Sequence, residues 1–60
     1  MMFYIRNSFG DWLMPIVDWY HNRPTYNTKQ EFAGQFTEEE AATLLQHPNM
    51  HAGAYTEPVA

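Results

Sequence analysis

A chain of 60 residues makes one domain, and at that size folding buries only about 60% of the surface the unfolded chain exposes. With no cysteine it has no disulfide, thiolate nucleophile or thiolate zinc site to compensate. Three Lys and Arg against seven Asp and Glu leave a net charge of −4, too few cations to displace nucleic-acid counterions or hold an anionic membrane surface.

No apolar run approaches the ~20 residues of a spanning helix, and no basic segment followed by a long apolar one opens the chain. A soluble cytoplasmic protein is expected. Two Trp, four Tyr and four Phe supply the burial that staples would otherwise give. They can exceed what so small a core encloses, and the excess would form a surface patch or an interface.

Phe3-Tyr4-Ile5-Arg6-Asn7 reads as a strand with Phe3 and Ile5 on one face and Tyr4 and Arg6 on the other. Asn7-Ser8-Phe9-Gly10-Asp11 is turn chemistry, because Asn and Gly accept positive φ while Ser and Asp bond the local backbone. Trp12-Leu13-Met14 returns as a second strand, closing a hairpin. Pro15 is expected to end or bend that strand; the alternative is a short helix from Pro15 to His21 with Ile16, Trp19 and Tyr20 inward.

Residues 22–27 read as loop around Pro24. Thr28-x-x-Glu31 resembles a capping box opening about one helical turn over 29–33, with Gly34 placed to end it in a left-handed conformation. The strongest local signal follows. Thr37 can cap a helix whose third residue, Glu40, reaches back to it, and Glu38 and Glu39 place negative charge at the positive end of the dipole. The helix is predicted over about 38–46, with Ala41, Leu44 and Leu45 as its apolar stripe and Pro48 beyond its end. Residues 49–53 form a turn, and Ala54-Tyr55-Thr56 a last short strand.

This order predicts a small α+β fold. An antiparallel sheet of about three strands carries one main helix on a face, packed against Phe3, Ile5 and alternate residues of the second strand.

The Tyr4-Ile5-Arg6-Asn7 strand and turn, followed by Ala33-x-x-Phe36-Thr37-x-Glu39-Glu40-Ala41, resembles short proteins of phages, prophages and other mobile elements. In these a hairpin precedes an A-x-x-F-T-x-E-E-A segment, a helix and a final strand. The insert from Pro15 to Tyr26 departs from the compact form of that pattern. The resemblance implies a fold and a genomic setting and carries over no catalytic residue.

No nucleophile constellation is present: Ser and Thr sit at turn or cap positions and the three glycines are isolated. His47-x-x-x-His51, with His21 as a third donor, is the candidate metal set, although Pro48 between the pair disrupts the shared helical face that this spacing needs. Asp11-Trp12 and Asp18-Trp19 could line a sugar cleft, but 60 residues leave little room for one, and turn and core roles account for them. Glu38, Glu39 and Glu40 are explained by helix initiation without a basic partner.

The segment Trp12-Leu13-Met14-Pro15-Ile16-Val17-Asp18-Trp19-Tyr20 is apolar on more faces than a small core can cover. Aromatic residues and Met are favoured at interface cores, so the expected partner-binding residues are Trp12, Met14, Trp19 and Tyr20, with Arg23 and Tyr26 at the rim. The reading is a non-enzymatic interaction module, an inhibitor or modulator of a host protein or a homodimer, needing no cofactor. The alternative is a metal- or ligand-binding protein using His21, His47 and His51.

Overall fold

The computed structural model describes residues 1–60. Its elements are β1 (Met2–Arg6), β2 (Trp12–Leu13), β3 (Tyr26–Asn27), β4 (Phe36–Thr37), α1 (Glu38–Leu45) and β5 (Tyr55–Pro58), with 3₁₀ turns at Ile16–Asp18 and Gln30–Phe32. The fold is α+β, a small antiparallel sheet with one helix.

β1 is the central strand. β5 pairs along one edge of it, from Phe3 opposite Pro58 to Arg6 opposite Tyr55. Two-residue strands share its other edge: β4 sets Phe36 against Phe3 and Thr37 against Met2, and β2 sets Trp12 against Arg6. β3 continues outward from β2, with Leu13 opposite Tyr26. Five strands thus form where the sequence suggests about three. β3 falls in the stretch expected as loop and β4 just ahead of the helix, because a two-residue strand has no alternation to detect.

The pleat separates two faces. Ile5, Leu13, Phe36, Ala41 and Leu44 form the buried core on the helix side, with Phe3, Trp19, Tyr26, Met50 and Ala54 packed around it. Opposite registered neighbours share a face, so Tyr4, Arg6, Trp12 and Glu57 lie together on the outer side.

Asn7 is the buried polar residue at the first turn. Its Oδ1 accepts from the N–H groups of Phe9 and Asp11, both at 3.0 Å, an Asx arrangement that lets Gly10 adopt φ 84°.

α1 starts as its sequence dictates. Glu40 N–H donates to Thr37 Oγ1 at 3.1 Å, and Thr37 N–H donates to Glu40 Oε1 at 2.8 Å. Ala41 and Leu44 are buried, whereas Leu45 is 36% exposed. A helix advances ~100° per residue, so two successive leucines cannot share one inward line. Leu45 lies on the flank instead.

The Thr28 capping box does not form. Lys29 precedes the second 3₁₀ turn without any side-chain cap, and its N–H is held by Asn27 Oδ1 at 2.9 Å. Gly34 is not left-handed either, positive φ in glycine being confined to Gly10 and Gly53. Its role is close approach. Gly34 N–H donates to Leu13 C=O at 2.8 Å, and a Cβ there would lie 2.7 Å from Phe36 Cζ and 2.9 Å from the Pro15 nitrogen.

Candidate functional site

The segment from Trp12 to Tyr26 leaves the sheet, protrudes and returns. Pro15 (φ −55°, ψ 146°) ends β2 and caps the first 3₁₀ turn, whose bonds are Asp18 N–H to Pro15 C=O and Trp19 N–H to Ile16 C=O. Pro15 stops the strand as expected, and a 3₁₀ turn takes the place of the alternative helix to His21: of its three inward residues only Trp19 packs inward, while Ile16 and Tyr20 are exposed. The turn tightens to i→i+3 and ends after three residues.

No residue of Ile16–Asp18 is buried. Ile16 is 52% exposed, Val17 90% and nearby Tyr20 72%. A tight turn closes back through Tyr20 opposite Arg23, with Arg23 N–H donating to Tyr20 C=O at 3.0 Å. Its two central residues, His21 (φ 51°) and Asn22 (φ 58°), are both left-handed. Positive φ at both positions gives the primed turn whose twist matches the flanking strands, and Asn tolerates it well. Thr25 braces the turn: its Oγ1 accepts from Tyr20 N–H at 2.8 Å and donates to Arg23 C=O at 2.9 Å.

The six expected partner-binding residues therefore separate. Trp12 is buried, with the Arg6 guanidinium 3.9 Å from its ring centroid and Tyr4 edge-on at 5.1 Å. Trp19 is half-buried against the core and donates its indole N–H to Met14 C=O at 2.8 Å. Met14 is half-buried in turn, its backbone bonded to Thr25 C=O at 2.9 Å. Tyr26 is half-buried and donates its hydroxyl to Met50 Sδ at 2.9 Å. Burial pushes this phenol above its ordinary pKa, partly offset by the His51 backbone. Tyr20 and Arg23 are exposed.

Aromatic residues and Met are favoured at interface cores, but this fold uses Trp12, Met14, Trp19 and Tyr26 internally. Ile16 and Val17 carry the exposed apolar surface. The signal for them was their adjacency after Pro15, since neighbouring apolar residues on one short turn cannot both face inward.

The three histidines lie against three different rings: His21 on Tyr20 at 4.1 Å, His47 edge-on to Trp19 at 5.8 Å, and His51 edge-on to Phe9 at 5.7 Å. His47 Nδ1 accepts from Asn49 N–H at 3.1 Å, which occupies one of its two ring nitrogens. No group of three or more His, Asp or Glu side chains converges as a metal site would require.

Phe3, Glu38, Ala41, Ala42, Leu45 and Thr56 line an open groove of about 240 Å³ between α1 and the β1–β5 edge. No helix is long and apolar enough to cross a membrane. Comparisons with protein-family models, with curated proteins and with solved structures give no match.

Proposed function

We propose that this chain is a non-enzymatic protein-interaction module, a cytoplasmic modulator of a host protein encoded by a phage or mobile element. It docks through the 3₁₀ turn Ile16-Val17 and Tyr20, with Arg23 at the rim. The observation that carries this reading is the exposure of the turn: a 60-residue protein short of burial leaves Val17 90% and Ile16 52% in water, although burying Val17 alone would stabilise the fold by about 1.5–3 kcal/mol. Apolar surface held out by a braced hairpin is suited to burial against a partner. Occlusion of a site on the host protein needs only a complementary surface. The resemblance of the Ala33–Ala41 motif to mobile-element proteins supports a host target.

The test compares affinity capture from the host by the native chain with capture by Val17→Asp and by a surface control, Glu39→Gln. A specific partner retained by the native chain and the control and lost with Val17→Asp is expected. Equal retention by all three would remove this surface from the proposal.

A further inference from the structure

We propose that the free edge of β5, together with the groove beside it, accepts an extended segment of a partner as an added strand. The segment carries an apolar residue opposite Thr56 and a basic residue two positions before it. This site is separate from the Ile16–Tyr20 surface and does not depend on it.

The ladder phase leaves that edge open. Val59 N–H donates to Met2 C=O at 2.9 Å, and with β5 in register from Phe3–Pro58 to Arg6–Tyr55 the bonded pairs are alternate ones. Tyr55 and Glu57 therefore turn their backbone groups toward β1, and Thr56 turns its N–H and C=O outward. Pro58 falls on the outward phase as well, where its missing N–H costs no bond to β1. Neither Thr56 backbone group meets a partner from any loop.

The side chains fit the same occupant. Thr56 pairs with Ile5 and so belongs to the helix face of the sheet. A residue placed opposite Thr56 on an added strand has its side chain on that face too, within the groove lined by Phe3, Ala41, Ala42 and Leu45. Edge-strand pairing gives such sites affinity and the alternate-residue pocket gives them selectivity.

Charge selects the occupant's sign. Glu38 is the one acidic side chain of the groove, and the chain's single ion pair, Arg6 with Glu57, leaves it with the helix dipole but no side-chain cation beside it. Glu38 follows Thr37, which pairs with Met2 at the end of β1 nearest Pro58. On an antiparallel added strand the residue two positions before the apolar one lies opposite Pro58 and on the same face, so a Lys or Arg there approaches Glu38. A second copy is a poorer occupant. Self-pairing about Thr56 would place Ala54, which carries no charge for Glu38, opposite Pro58, and would join two chains of net charge −4.

The experiment titrates the ¹⁵N-labelled full chain with a capped hexapeptide of glycine and threonine containing one valine and a lysine two residues before it. Saturable shifts of the Thr56 amide and of Ala42 and Leu45 are expected. N-methylation of the valine amide should abolish them, and exchanging the peptide lysine for glutamate should weaken binding. Glu38→Gln should weaken the lysine peptide by about threefold, the range of a partly exposed ion pair. Absence of Thr56 shifts, binding that survives N-methylation, or equal binding of the lysine and glutamate peptides would each overturn the proposal. Thr56 shifts that follow protein concentration without peptide would assign the edge to a second copy and overturn it as well.

Discussion

The Arg6 guanidinium stands 3.9 Å from the Trp12 ring centroid, joining the two residues that face each other across β1 and β2. The same side chain donates through Nε and Nη2 to Gly10 C=O at 3.2 and 2.6 Å, and through Nη1 to Glu57 Oε1 at 3.3 Å. One cation thus ties the first turn, the outer face and β5, and covers a tryptophan on the face opposite the helix. Removing either partner should destabilise the fold, and a double-mutant cycle of Arg6→Met and Trp12→Leu in urea should show a coupling of about 0.5–2 kcal/mol. Glu57→Gln should cost no more than about 1 kcal/mol because that pair is partly solvated. A coupling near zero would mean that the ring and cation are merely adjacent.

Gly34 should resist substitution more strongly than the left-handed glycines. A methyl at Gly34 overlaps the Phe36 ring and the Pro15 backbone, so Gly34→Ala should cost about 1–3 kcal/mol as an overpacked site. Gly53→Ala meets only the Ser8 side chain at 3.4 Å and carries the strain of φ 84°, a cost of about 1 kcal/mol. Thermal unfolding of the two variants measures the order.

Thr37→Ala should cost about 0.5–2 kcal/mol through loss of the cap. Glu40→Gln keeps the reach-back hydrogen bond and should cost less. Helical circular dichroism and urea midpoints report both, and a loss from Glu40→Gln as large as that from Thr37→Ala would assign the contribution of Glu40 to its charge instead of its hydrogen bond.

Tyr26 predicts a pH dependence. Its folded-state phenol pKa is raised, chiefly by burial, so the neutral form is favoured by folding. The associated stability is fully present below the unfolded-state value of about 10 and is lost as pH rises through the higher folded value. Denaturation measured from pH 8 to 11 should show stability falling at the alkaline end. Tyr26→Phe should flatten that limb while losing the bond to Met50 Sδ.

Surface and core residues of the protruding segment should separate cleanly. Val17→Asp should change stability by no more than about 0.5 kcal/mol, as expected for an exposed position. Leu13→Ala should cost about 2–5 kcal/mol, enough to unfold much of so small a domain. Comparable losses from both would place Val17 in the core.

The parts legible in sequence were local. The capping box at Thr37, the Asn7–Asp11 turn and the alternation of β1 each depend on residues within a few positions of one another, so their chemistry sets the outcome without help from the rest of the chain. The Thr28–Glu31 pattern has the same lettering as the Thr37–Glu40 box yet forms no cap. No apolar stripe follows it, and capping alone does not sustain a helix this short.

Tertiary structure decided the rest. β3 and β4 exist because longer neighbours offer them open edges, and two residues carry too little pattern to announce a strand. Trp12 could be assigned to a face by parity, but its burial required an arginine from another strand to lie over it. Leu45 belongs to the apolar helix pattern and still reaches the groove, because one small sheet cannot cover two successive leucines. Sequence by itself determined an acidic α+β domain and where its helix begins. Only the packing decided which apolar residues remained exposed, since a small core covers some of them and leaves Ile16 and Val17 outside.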